Sequence, residues 1–327
     1  MTESLLTFTN LSKIFTAGRF HVRALDNISF SILPGETVAI VGESGSGKTT
    51  LAKIVLGLEA ATSGEVSFLG RRLETRRSLA DRRRIQVVQQ NPYLTLNPAL
   101  SIAKTIGLPL RLHYGLTGAK ARDRVAELLR LVGLPADIMD QHPRAMSGGQ
   151  RQRIALTRAL ACEPDFLILD EPTSALDVSV QALILALLVN LQSRLGLTYL
   201  FITHDLAVAR TLSTKVAVLY RGHLVEFGPT AVVLANPAHP YTASLLSEVP
   251  VLSEEEELLK PHIETREADP MTEVSSAGCP FRSQCWKATD ICSVTPQLKA
   301  LGAIVSAACY HPLRTETHWS QKAVVSG

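Results

Sequence analysis

The stretch that most constrains this chain is Gly42-Glu43-Ser44-Gly45-Ser46-Gly47-Lys48-Thr49-Thr50. It reads G-x-x-x-x-G-K-T. An apolar run, Val38 to Val41, precedes it, and an apolar-periodic stretch, Leu51 to Leu58, follows. The run predicts a buried strand and the stretch a helix. That is the context a phosphate-binding loop requires. Glycines let successive backbone N–H groups turn inward around phosphate oxygens, and the helix adds the positive end of its dipole. Lys48 is placed to reach β- and γ-phosphates as a point charge, and Thr49 to put its hydroxyl on Mg²⁺.

A second element gives the loop a purpose. Phe166-Leu167-Ile168-Leu169-Asp170 is four apolar residues ending in an acid, followed by Glu171-Pro172. This predicts a buried parallel strand with its carboxylate at the C-terminal end, where open α/β sheets bind ligands. Asp170 suits Mg²⁺ through a water, and Glu171 suits a general base on the attacking water. A third strand, Thr198 to Ile202, ends at His204, within reach of a γ-phosphate. A fourth, Ile85 to Val88, ends at Gln89-Gln90-Asn91-Pro92, where the Gln90 amide would stand near a bound nucleotide. Ser147-Gly148-Gly149-Gln150 opens a helix from Arg151 to about Cys162 and offers either a second anion site or plain N-capping.

The remaining chain predicts supporting structure. Leu6, Phe8, Leu25, Ile28, Phe30 and Ile32 alternate with polar residues, as half-buried antiparallel strands do. Gly64 to Leu69 reads as a short strand. Phe15, placed between the first strands, serves either to stack on adenine or as a core residue. The arginines from Arg71 to Arg84 read most simply as a solvated helix face, with an anionic or membrane-side contact as the alternative. Leu100 to Met146 is helical throughout, a helical insertion in the α/β core. Ser179 to Leu195 is a long helix, and Val216–Tyr220 and His223–Phe227 form a hairpin around Arg221-Gly222.

At 327 residues the chain exceeds one typical domain. Its net charge of +3 is too small to argue for nucleic acid. The longest apolar run, Ala182 to Leu191, is about half of the ~20 residues a membrane span needs, and no secretion signal opens the chain. The expectation is a soluble, cytoplasmic protein that serves a membrane through a partner. Four of the five cysteines, Cys279, Cys285, Cys292 and Cys309, crowd the C-terminal end as C-x₅-C-x₆-C-x₁₆-C. In a reducing compartment that cluster suggests metal more than disulfide, and thiolates suit both zinc and [4Fe–4S].

GESGSGKT, Gln90 before Asn91-Pro92, MSGGQ, FLILDEP, SALD and His204, in this order, resemble the nucleotide-binding subunit of an ATP-binding-cassette (ABC) transporter. The resemblance covers about Leu5 to Pro250. It implies a P-loop NTPase cassette of α/β class: a mixed central sheet, an antiparallel β subdomain and a helical subdomain at about 93–150. It makes Phe15 the adenine-stacking aromatic and Gln90 the residue that senses Mg²⁺ and the membrane partner. Ser147 and Gly149 would bind the γ-phosphate held by an opposite subunit, with Asp177 also across the dimer. Met146 stands where Leu is more usual, a volume-conserving change.

Asn236 to Thr242, Leu245-Leu246 and the cysteine tail resemble the oligopeptide, dipeptide and nickel importer branch. That branch implies two integral-membrane permease subunits and an extracytoplasmic substrate-binding protein. It also implies a second homologous ATPase, paired as heterodimer or homodimer, and a place on the cytoplasmic face of the inner membrane. The cargo would be di- or oligopeptides, with nickel, glutathione or opines as alternatives. For the cysteines it implies [4Fe–4S] over zinc. The expected organisation is a cassette at 1–250, a linker at 251–277, a small Cys-rich domain at 278–314 and a tail at 315–327. A non-transport ATPase acting on nucleic acid or ribosomes is the competing reading. Such chains carry two cassettes or a long coiled coil, and this one has a single cassette with no sustained heptads.

Overall fold

The computed structural model describes residues 3–18, 20–248 and 278–313. The expected linker at 251–277 and tail at 315–327 lie outside the described residues. Leu6–Ala17 (β1) and Phe20–Ile32 (β2) pair antiparallel, Leu6 opposite Ile32 and Phe8 opposite Phe30. Phe15 therefore sits within β1 rather than between strands. Ser63–Phe68 (β4) pairs with the other edge of β1, and the two-residue Arg71–Arg72 (β5) completes a four-stranded antiparallel sheet.

The main sheet has eight strands. Thr37–Val41 (β3), Ile85–Val88 (β6), Phe166–Asp170 (β7), Thr198–Ile202 (β8) and Lys215–Tyr220 (β9) run parallel in the order β9-β3-β8-β7-β6. His223–Pro229 (β10) adds antiparallel to β9. The apolar runs read in the sequence follow from burial on both faces. Val38, Ile40, Phe166, Ile168, Leu200 and Ile202 pack with the small sheet and with Lys48–Leu56 (α1). Their neighbours Ala39, Val41, Leu167, Leu169, Tyr199 and Phe201 pack with the helices on the other face.

Between β6 and the helix Gly148–Leu160 (α6) the chain is helical, as expected. Leu79–Arg84 (α2) precedes β6; Pro92–Thr95 (α3), Ile102–Tyr114 (α4) and Gly118–Leu131 (α5) follow it. Gly115 and Gly133, both at positive φ, stop α4 and α5. Val178–Leu195 (α7), Leu206–Leu212 (α8), Thr230–Ala235 (α9) and Pro240–Ser247 (α10) complete the helices.

Three expectations change. The arginine run is not one solvated face: Arg77 is buried and donates to the Val55 and Ile54 carbonyls at the end of α1, and Asp81 holds Arg71. At 18 residues and mean hydropathy 1.5, α7 does have the length and apolarity of a membrane span. Its Leu185, Leu188 and Leu191 are buried with the core, and Gln192 donates to the Gly35 carbonyl and Thr37 hydroxyl. Finally, the described cysteine-rich residues join the cassette. Lys299–Leu301 (β11) and Val305–Ala307 (β12) extend the main sheet, with β12 antiparallel to β10. Phe281, Cys285 and Val305 belong to the cassette's own core. A segment with so few apolar residues of its own borrows a core from its neighbour.

Candidate active site

The phosphate loop, Gln90, Glu171 and His204 all follow the C-terminal ends of parallel strands, so one edge of the sheet collects them. They line a cleft of about 810 Å³, together with Ser44, Gly45, Gly47, Lys48, Thr49 and Thr50. This volume is within the range of small-ligand sites. Gly42 (φ +147°) and Gly47 (φ +106°) hold conformations that L side chains rarely adopt. A Cβ at Gly42 would stand 2.1 Å from the Leu219 carbonyl oxygen, and one at Gly47 2.4 Å from that of Ala24. The loop's shape therefore depends on both glycines and on β9 and β2 behind it.

The Lys48 ammonium is buried and donates to the Gly42 and Glu43 carbonyls, both at 2.7 Å. Burial lowers its pKa, while the charges of Glu171, Asp170 and Glu43 act to raise it. Burial raises the Asp170 pKa, Glu171 adds to the rise, and Lys48 and Lys53 oppose it. Glu171 lies at φ +46°, uncommon for a non-glycine residue and a form of strain found at functional sites. Its carboxylate is held from two sides. Gln90 Nε2 donates to Oε2 at 2.8 Å, and His204 Nδ1 stands 3.1 Å from Oε1. Gln90 also reaches the Ser174 hydroxyl at 3.3 Å.

Gly42, Glu43, Ser46 and Asp170 do not line the cleft, although Ser46 and Lys48 touch. Phe15 does not line it either; it is 38% exposed, with the Lys13 ammonium 4.6 Å from its ring centroid. Ser147 and Gly149 are also elsewhere. Ser147 caps α6 in a reciprocal capping box with Gln150. A Cβ at Gly149 would come 2.6 Å from Val180 Cγ1, so close approach of α7 is a packing reason for that glycine. Asp177 is the residue before α7. Sequence reasoning missed Val22, Arg23 and Ala24 of β2 and Arg221 of the β9–β10 turn, which line the cleft's remaining wall. It also missed Tyr241, whose hydroxyl accepts from the Glu43 N–H at 3.1 Å.

The four C-terminal cysteines converge. Cys279, Cys285, Cys292 and Cys309 line one void, with His239, Arg282, Lys287 and His311 around it. None of the five cysteines is in a disulfide. Burial pushes the Cys279 thiol up to about 11 and Cys309 up to about 12, and the neighbouring thiolates add to both. Such thiols ionise at neutral pH only beside a cation. Among the described residues no three His, Cys, Asp or Glu side chains are grouped to hold one ion. The void is about 10 Å³, room for roughly one water. The four thiols match a four-thiolate ligand set in number and chemistry, but the arrangement in this structure does not group them around one ion.

A phosphate loop on the central strand, an acid pair on the next strand but one and a glutamate held by Gln and His define a nucleoside-triphosphate hydrolase of cassette type. The chain belongs to the ABC transporter ATP-binding family, in the oligopeptide/dipeptide branch. The ABC transporter family model matches residues 25–174, and the model of the oligopeptide/dipeptide transporter C-terminal region matches 225–292. The chain is 41% identical over 294 residues to the dipeptide transport ATP-binding protein DppF of Haemophilus influenzae, covering 89% of each. It is 46% identical over 256 residues to the oligopeptide transport ATP-binding protein OppF of Bacillus subtilis, covering 77% of this chain and 84% of that one. Among solved structures, cbiO1 of Clostridium perfringens, part of the transporter complex cbiONQ, aligns with a TM-score of 0.64 at 30% identity. That alignment covers 71% of this chain and 91% of cbiO1. The cassette MJ0796, a dimer bound to ADP and Pi, aligns with a TM-score of 0.62 at 32% identity, covering 69% of this chain and 98% of its own. ATP and Mg²⁺ are the cofactors this family implies.

Proposed function

We propose that this chain hydrolyses ATP to power an importer of di- or oligopeptides, and that Glu171 is its general base. The convergence of Gln90 and His204 on the Glu171 carboxylate, beside the phosphate loop, carries the catalytic reading. Lys48 exchanges the Gly42 and Glu43 carbonyls for β- and γ-phosphate oxygens. Thr49, Asp170 and Gln90 would hold Mg²⁺, which would supply neutralising charge to the phosphates. Glu171 takes a proton from the attacking water while Gln90 and His204 fix its orientation, and His204 also faces the γ-phosphate. Phe15 stacks on the adenine.

Ser147, Gly149 and Asp177 stand outside this cleft, which supports their action on the nucleotide of a second, homologous ATPase. Two permease subunits at the cytoplasmic face of the membrane and an extracytoplasmic binding protein complete the assembly. Peptide cargo is supported by the match at 225–292 and by the named functions of DppF and OppF. Cys279, Cys285, Cys292 and Cys309 hold a [4Fe–4S] cluster of structural role, with zinc as the alternative. Arg282 and Lys287 at the rim suit the negative charge of either four-thiolate site.

The experiment is Glu171→Gln in the assembled transporter. Turnover is expected to fall on the order of 10²-fold or more, with ATP affinity unchanged because the phosphate loop is intact. Near-wild-type hydrolysis would remove Glu171 from the role of base.

A further inference from the structure

Arg221 is a residue the hydrolytic constellation does not use. It occupies the first place of the two-residue turn joining β9 to β10, with Tyr220 opposite His223. Arg221 at φ +45° and Gly222 at φ +84° are both left-handed, as a type I′ hairpin turn requires. Asn, Asp and Gly adopt that first position readily, and arginine does so with strain. Strain of this kind is retained where the side chain serves a purpose.

The turn is fixed against the phosphate loop. The Gly222 N–H donates to the Ser46 carbonyl at 3.0 Å, and the Gly222 carbonyl accepts from the Asp26 N–H at 2.8 Å. A Cβ at Gly222 would come 2.9 Å from the Ala24 carbonyl oxygen, so the turn is wedged between the loop and β2. The Arg221 side chain thereby lines the nucleotide cleft. Arg23, on the same wall, is neutralised by Asp26 at 2.7 Å. Arg221 has no carboxylate within salt-bridge distance among the described residues; its recorded contact is the Tyr220 ring at 5.4 Å.

Strand order says which end of a nucleotide this cation meets. The phosphate loop follows β3. Gln90, Glu171 and His204 follow β6, β7 and β8, all on one side of β3. Arg221 follows β9, on the other side. We propose that the Arg221 guanidinium binds the α- and β-phosphates, the part that ATP and ADP share, from the wall opposite the hydrolytic groups. This rests on the nucleotide reading of the same cleft.

The test is Arg221→Asn in the full chain, with ATP and ADP titrated calorimetrically at low and moderate salt. Asparagine suits the turn, so the thermal midpoint without nucleotide is expected to hold or rise. Dissociation constants for ATP and ADP are both expected to increase, by a similar factor on the order of tenfold, and less so at higher salt. Arg221→Lys is expected to recover part of the loss. Unchanged affinity for both nucleotides would overturn the proposal, and a loss confined to ATP would overturn the placement on the α- and β-phosphates. Lys48→Ala, measured in parallel, separates the two readings. If it weakens binding while Arg221→Asn does not, Arg221 alone is excluded; if neither weakens binding, the nucleotide site itself fails, and this proposal with it.

Discussion

Lys48 concentrates the chemistry of the site in one side chain. The residue is 6% exposed, and its ammonium is satisfied by two main-chain carbonyls of the loop it serves. Exchanging those carbonyls for phosphate oxygens turns neutral acceptors into charged ones, which strengthens each bond. Loss of a charged donor costs about 1.5–3 kcal/mol, so Lys48→Ala is expected to weaken ATP binding roughly 10- to 150-fold, as titration calorimetry would read. Equal affinities would show that the backbone cradle binds alone. The gathering of Lys48, Thr49, Glu171, Gln90 and His204 around one cleft was legible because each follows the end of a predicted strand at a fixed offset; Asp170 ends its strand and does not line the cleft. Arg221 and Tyr241 were not legible: Arg221 follows its strand in a hairpin turn that carries no phosphate-binding pattern, and Tyr241 lies far along the chain on α10. Arg221 meets the loop through a turn, and Tyr241 through packing against Tyr220, with ring centroids 4.3 Å apart. The one available sign was an arginine in a turn that favours asparagine.

At the scale of elements, β10 departs most from what its residues suggest. A glutamate in a hairpin strand reads as solvent-facing, yet Glu226 is fully buried. Its two oxygens accept the N–H groups of Ala238 and His239, at 2.8 and 2.9 Å, just ahead of α10. The covering element, β12, places Ala307 opposite Glu226 and lies far along the chain. Burial pushes the Glu226 pKa from 4.5 up to about 7, against those hydrogen bonds. With the folded value above the unfolded one, the native state binds the extra proton. This contribution to stability is therefore full below about pH 4.5 and declines as pH rises to about 7. Glu226→Gln is expected to flatten that part of the pH–stability curve, measured by urea denaturation between pH 5 and 8. An unchanged slope would mean that other groups set it. Most strands and helices were legible from period and caps. The arginine run was not, since Arg77 turns inward to the carbonyls ending α1 and no local pattern encodes that.

For the whole molecule, the antiparallel strands near the start and the helical insertion were legible in the order of apolar runs, while the mixed central sheet was implied by the family resemblance. The attachment of the cysteine-rich residues was not legible, because it depends on a pairing between β10 and β12 and on Phe281, whose ring centroid packs 5.4 Å from that of Tyr241. A metal held by these cysteines would stabilise the cassette's own sheet rather than a separate unit. Anaerobic purification is expected to give brown protein with about four irons per chain, and Cys309→Ser to lose the metal and lower the thermal midpoint. Stoichiometric zinc in a colourless preparation would select the alternative, and metal-free protein of unchanged stability would exclude the site. The position of β3 has a further consequence, for synthesis. Its neighbours in the sheet are β8 and β9, which begin at Thr198 and Lys215. At about 5–20 residues per second, a ribosome takes roughly 10–30 s to travel from β3 to β8. Throughout that interval a strand apolar from Val38 to Val41 lacks its sheet neighbours, and the glycine loop at its end lacks the β9 carbonyl packed against it. The nascent chain therefore has to be kept from aggregating before ATP can assist, because the site that would bind ATP is started early and enclosed late.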